Sequence, residues 1–223
     1  MSYPAPELSA EDANALAEAG VAGIYAEADD DWVAWLRRPA VAAVTAVLAL
    51  AAAVFVGVSG ASVGPVTAVS SGLLAAVLVV LSVIDLKTML LPDVIVLPLL
   101  GLIPVVGFLG AAGGEFSWGQ AGTALACGAG CFVLLWVITF VTGGFGDGDV
   151  KLIPVLGFML GLYGWPAAAL GALILPMVLG AIVALPLMLL GAGTKTAVPF
   201  GPFLAAGTII ILAFPGITTA WMG

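Results

Sequence analysis

Two short polar islands interrupt the apolar body of this chain, and each carries aspartates. The first reads Ile84-Asp85-Leu86-Lys87 and continues to Leu91-Pro92-Asp93. The second reads Gly144-Phe145-Gly146-Asp147-Gly148-Asp149-Val150-Lys151-Leu152. A carboxylate at the rim of a bilayer is unfavourable, so its default reading is functional. Two carboxylates sharing one proton can do acid–base work: one takes a proton from an attacking water and the other donates one to the leaving group. Like charge and low dielectric hold that proton on the pair, whose titration then belongs to both groups. Hydrolysis of a peptide bond needs both functions.

Other catalytic resources are scarce. The chain contains no histidine, which removes Ser-His-Asp and Cys-His hydrolysis and histidine-based metal sites. Its two cysteines, Cys127 and Cys131, share a helix face four residues apart and read as small packing residues. They form no CxxC pair, so a zinc ribbon is excluded and no metal site is expected.

Within the islands the residue types leave several roles open. Asp147 is either a solvated loop acid or the active partner in place of Asp149; physical reasoning does not choose between them. Asp93 follows Pro92 and is expected to cap the next helix, with a place in the site as the rival reading. Lys87 and Lys151 each lie two residues after an aspartate, and residues two apart on a helix do not face each other. Both are therefore read as snorkelling anchors among headgroups, the alternative being that they tune the carboxylates or meet an acidic substrate residue. Gly146 and Gly148 allow a substrate backbone to come close to Asp149.

The elements that must position these residues are membrane helices. Of the 223 residues, 63% are hydrophobic and only 8% charged, and the mean hydropathy is +1.26. A soluble domain carries about 25% charged residues. Runs long enough to cross a bilayer predict about seven spans at 39–59, 67–86, 94–112, 120–141, 151–164, 167–191 and 198–216, with an uncertain boundary at Trp165-Pro166. The runs are too continuous for barrel strands. The expected fold is all-α, a polytopic transmembrane helical bundle.

Five basic residues give the topology: Arg37, Arg38, Lys87, Lys151 and Lys195. With seven spans all five fall on one side, which the positive-inside rule assigns to the cytoplasm. The N-terminus is then cytoplasmic, and Asp85 and Asp149 lie at the cytoplasmic face. The loops at 60–66, 113–119 and 165 lie opposite, one of them with Glu115 and Trp118. Residues 1–38 hold eight of the thirteen acidic residues. This tail lacks the charged and apolar regions of a signal peptide, so the first apolar run is expected to be a retained helix. Ser9 is expected to start a short helix that Gly20 ends. Trp32, Trp35 and Leu36 share a face suited to the headgroup region.

At this level the motifs resemble a family. Gly146-Asp147-Gly148-Asp149 fits the Gly-x-Gly-Asp signature of intramembrane aspartyl proteases. Ile84-Asp85-Leu86 with Leu91-Pro92-Asp93 and Leu97-Pro98-Leu99-Leu100, then Gly148-Asp149-Val150-Lys151-Leu152, then Pro199-Phe200-Gly201-Pro202-Phe203-Leu204 after Lys195 are similar, in that order, to the type IV prepilin peptidases. The resemblance implies that Asp85 and Asp149 are the catalytic pair, with Asp147 only filling the x position. It gives a site-lining or substrate-binding place to Gly146, Gly148, Lys87, Lys151, Asp93, Pro199, Phe200, Gly201 and Pro202. From residue type alone, the late string reads equally as a proline-started helix with packing phenylalanines.

The resemblance further implies an aspartic endopeptidase that removes the basic leader of type IV prepilins or pseudopilins at the cytoplasmic face of the inner membrane. The expected partners are that substrate and the lipid bilayer, with no nucleic acid. A basic leader would suit the acidic tail. Longer relatives carry two CxxC pairs in a cytoplasmic domain after the first span, whereas here the link from Gly57 to Gly64 is short. The match is therefore to the compact form. No cofactor is expected, and S-adenosylmethionine would enter only with a retained methyltransferase activity. The implied domains are an acidic tail with an interfacial helix (1–38), an extra transmembrane helix and loop (39–66), and a six-helix core (67–223). The alternative function is an ion-coupled transporter using its membrane carboxylates. A presenilin-like protease fits less well, since it expects Tyr-Asp and Pro-Ala-Leu where this chain has Ile84-Asp85 and Pro199-Phe200-Gly201.

Overall fold

The structure, a computed structural model, describes residues 31–142, 144–189 and 198–219. The expected helix at Ser9, the acidic tail up to residue 30 and Lys195 lie outside the described residues. The chain divides into two compact units, Met1–Ala42 and Ala43–Gly223. In the first, α1 (Asp31–Leu36) contains the Trp32, Trp35 and Leu36 segment.

In the second unit the order is α2 (Pro39–Gly60, entered from the first unit), α3 (Pro65–Thr88), α4 (Asp93–Ala112), α5 (Trp118–Thr142), α6 (Asp147–Gly161), α7 (Trp165–Ala168), a π-helical stretch Ala169–Ile174, α8 (Leu175–Leu189), α9 (Gly201–Ala213) and α10 (Gly216–Thr219). Each of the seven expected apolar runs contains a helical segment, although 190–191 lie outside the described residues and 198–200 precede α9. Among the described residues, five segments are long and apolar enough to cross a membrane: α2, α3, α4, α5 and the continuous stretch Trp165–Pro186. The other two runs form shorter helices. α6 has 15 residues and α9 has 13, or about 22 Å and 20 Å at 1.5 Å per residue, against an apolar core of about 30 Å.

Shortness and burial go together in α6. Leu152, Ile153, Leu156 and Leu160 are fully buried, so this helix is enclosed by its neighbours. Its tightest partner is α5, because small residues let the two backbones meet. A Cβ on Gly157 would lie 3.0 Å from the Gly128 Cα, and one on Gly161 would lie 2.8 Å from the Ala124 Cα and from the Cys127 Cβ. Cys131 is buried in the same seam and both cysteines are free. They act as small packing residues, as their spacing suggests.

The helix α2 is peripheral. Only 11% of its most apolar window is buried, the joint lowest being 22% among the other long helices. It meets α3 through Gly57 and Gly72: a Cβ on Gly72 would lie 2.8 Å from the Ala53 carbonyl oxygen.

The break near Trp165-Pro166 comes at Gly164, whose φ of 106° favours glycine, and Pro166 then occupies the first turn of α7. The π-helical stretch follows directly and ends just before Pro176. A proline lacks the N–H that would bond four residues back, and the wider turn absorbs the loss. Here the stretch meets α9, where a Cβ on Gly207 would lie 2.6 Å from the Gly171 carbonyl oxygen.

At the start of α3, Glu115 reaches from the α4–α5 loop and accepts hydrogen bonds from the Val66 amide at 2.5 Å and from the Thr67 amide and hydroxyl at 2.9 Å. These amides have no partner within their own helix. A carboxylate there satisfies them and complements the helix dipole.

Candidate active site

The opposite end of α3 carries Asp85. After it the chain reverses through Met89, a non-glycine residue in the left-handed region at φ 53°, whose amide donates to the Asp85 carbonyl at 2.8 Å. Asp85 is 4% exposed, although it lies only one turn from the end of its helix. Its Oδ2 accepts a hydrogen bond of 2.8 Å from the Gly201 amide, the first residue of α9. A Cβ on Gly201 would lie 2.8 Å from that same oxygen. Glycine is thus the residue that admits the carboxylate to the helix start.

Asp149 lies in the first turn of α6. Gly146 is the extended residue before the helix, and its carbonyl accepts from the Asp149 amide at 3.1 Å. The helix begins at Asp147, so both acids sit where a helix N-terminus favours negative charge. Their environments differ: Asp147 is exposed, whereas Asp149 is 7% exposed. The Asp149 Oδ1 is buried without a hydrogen-bond partner among the described residues. Asp85 and Asp149 are the two buried carboxyls among the described residues, and the loop that follows Asp85 packs through Leu91 against Gly148, the neighbour of Asp149. Physical structure here separates Asp149 from Asp147, which the sequence did only through resemblance.

The remaining candidates divide. Gly148 packs on the chain itself: a Cβ there would lie 2.6 Å from the Leu91 Cβ. It lets the loop after α3 lie against the start of α6, a role different from the expected approach of a substrate backbone. Gly146 is exposed and leaves room for a Cβ at ordinary contact distance, 3.5 Å from the Asp149 Oδ2. Lys87 is exposed, on the far side of α3 from its buried neighbour Asp85, as the two-residue spacing requires.

Lys151 and Asp93 depart from expectation. Lys151 does not simply reach outward: its Nζ binds both Asp93 carboxylate oxygens at 2.8 Å. Asp93 does not cap α4 with its side chain. Pro92, in extended conformation, takes the capping position, Asp93 becomes the first helical residue, and its carboxylate turns to the lysine. The pair ties the start of α4 to the start of α6.

Pro199 and Phe200 precede α9 and Pro202 lies in its first turn. Phe200 meets Phe145 edge-on, with ring centroids 4.7 Å apart, and so links the glycine-rich loop to the start of α9. Phe145 and the Gly201 amide are the participants that residue-type reasoning missed or left vague. Phe145 had a signal, as the one aromatic in a glycine-rich island. Among the described residues no group of three or more His, Cys, Asp or Glu side chains gathers to hold a metal ion.

Five described segments long and apolar enough to cross a membrane mark a multi-pass membrane protein, with two buried aspartates at one end of its bundle. Residues 72–223 match the type IV leader peptidase family, and the chain belongs to that family. It is 36% identical over 193 residues to a prepilin leader peptidase/N-methyltransferase of Aeromonas hydrophila, covering 83% of this chain and 61% of that protein. It is 39% identical over 157 residues to the protein of the same name in Aeromonas salmonicida, covering 67% and 50%. For that of Pseudomonas putida the identity is 40% over 144 residues, covering 60% and 46%. The chain thus spans about half to three fifths of the length of these curated relatives. No solved structure matches it.

Proposed function

We propose that this chain is a membrane-embedded aspartyl endopeptidase that removes the leader peptide of type IV prepilins or pseudopilins. The observation that carries the reading is the burial of both Asp85 and Asp149 at one end of the bundle, inside the family match. Two buried carboxyls at one end of the bundle suit a shared proton. One accepts a proton from water as its oxygen adds to the scissile carbonyl, and the other protonates the carbonyl oxygen and later regains that proton. No cofactor takes part in this scheme. The methyl transfer in the relatives' names forms no part of this proposal.

The site end faces the cytoplasm in this reading. Lys87 and Lys151 lie at that end, and Glu115 marks the other, which agrees with the positive-inside rule. The membrane is then the inner membrane, and the expected substrate carries a basic leader that meets a chain of net charge −8. Residues 39–66 add a peripheral helix ahead of the core, consistent with a family match that begins at residue 72. Pairing at one end, rather than at mid-depth of the bundle, favours the peptidase over an ion-coupled transporter.

The test uses the full chain in proteoliposomes with a prepilin bearing a basic leader. The wild type releases the leader. Asp85→Asn stays folded by thermal unfolding yet loses at least about 100-fold in rate, the usual scale of general acid–base catalysis. Cleavage by Asp85→Asn at the wild-type rate would overturn the proposal.

A further inference from the structure

The two carboxyls of the pair are held differently, and the difference assigns their roles. Asp85 Oδ2 accepts the Gly201 amide at 2.8 Å, and that amide is the first of a 13-residue helix. An N–H donor and the positive end of a helix both favour the ionised form of a carboxyl group. Asp149 also lies in the first turn of a helix, but its Oδ1 is buried and makes no hydrogen bond among the described residues. A buried oxygen without a donor favours the protonated form.

We propose that the Gly201 amide is a positioning group that keeps Asp85 ionised as the proton acceptor and leaves Asp149 protonated as the proton donor. This assignment rests on the reading of the pair as the reacting groups. In the first step the water oxygen bonds to the scissile carbonyl carbon. One water proton passes to Asp85, and the Asp149 proton passes to the carbonyl oxygen, giving a gem-diol. In the second step the carbon–nitrogen bond breaks. The leaving nitrogen takes the proton from Asp85, and a gem-diol hydroxyl returns one to Asp149. The new acid and amine depart, and the pair is as it began.

The other charged groups leave this asymmetry in place. α9 brings no titratable side chain to α3, and α4 brings only Asp93, which is bound to Lys151. α6 adds Asp147, which is exposed, and Lys87 points outward from α3.

The direct test removes the N–H and adds no atom: glycolic acid replaces Gly201, turning the amide into an ester. The rate of leader cleavage is then followed against pH in the full-length protein, with thermal unfolding as a control on folding. Losing a donor makes Asp85 harder to ionise, so the acid limb moves to higher pH by about one unit, the scale of one charged hydrogen bond. Gly201→Ala, whose methyl would meet the Asp85 oxygen, shifts the acid limb the same way. An ester variant that folds and whose acid limb does not move, whether or not its rate falls, would overturn the assignment. Unimpaired cleavage by Asp85→Asn or Asp149→Asn would instead remove the underlying pair.

Discussion

Lys151 binds both carboxylate oxygens of Asp93 at 2.8 Å, across 58 positions of sequence. The contact joins the second turn of α6, just after Asp149, to the first turn of α4, whose preceding loop follows Asp85. Both partners are about half exposed, with side chains 40% and 52% accessible. An ion pair so placed contributes about 0–1 kcal/mol after screening. Lys151→Met and Asp93→Asn should therefore lower stability by less than about 1 kcal/mol in thermal unfolding. The exchanged variant Lys151→Asp with Asp93→Lys should recover part of that loss. A loss several times larger would mean that the pair does more than align two helix starts.

The glycines of the second island should respond unequally. Gly148→Ala places a methyl 2.6 Å from the Leu91 Cβ, in the joint between the two aspartate-bearing segments. Overpacking of this kind costs about 1–3 kcal/mol, so its unfolding temperature should fall and cleavage should fall with it. Gly146→Ala meets only an ordinary contact and should lose less stability, under about 1 kcal/mol. Equal melting of the two variants would contradict the close approach of Leu91.

Glu115 gives the far end of the bundle a pH dependence. Burial raises its carboxyl, but hydrogen bonds from the Val66 and Thr67 amides and the Thr67 hydroxyl outweigh burial and hold it below the ordinary glutamate range. A group with a depressed folded-state value adds stability above its unfolded value and loses it as pH falls through the folded value. The stability gap between wild type and Glu115→Gln should thus be largest near neutral pH and close on acidification below the glutamate range. Unfolding measured across that range checks it, and a gap that widens toward acid would refute the assignment.

How far the sequence alone reached follows from which interactions are local. Helix positions were legible because apolar runs and their breaks are local signals: the run expected at 39–59 is α2, and the break near Trp165-Pro166 is set by Gly164 and Pro166. The outward turn of Lys87 followed from helical periodicity. What was not legible depends on contacts between distant segments. Gly201 reaches Asp85 across 116 positions, and nothing in Pro199-Phe200-Gly201 announces that its amide binds a carboxylate. The role expected of Asp93 was local, a cap, and the lysine 58 residues later displaced it. Likewise Asp147 and Asp149 are the same residue type in the same turn; only tertiary burial tells them apart.

That last distinction gives the most direct measurement. Leader cleavage by Asp149→Asn and Asp147→Asn is compared in the same membranes, with matched expression and thermal unfolding. The buried carboxyl should be indispensable and the exposed one should not. Asp149→Asn is expected to lose at least about 100-fold in rate, while Asp147→Asn cleaves close to the wild-type rate. Full activity in Asp149→Asn, or its loss in Asp147→Asn alone, would contradict the account.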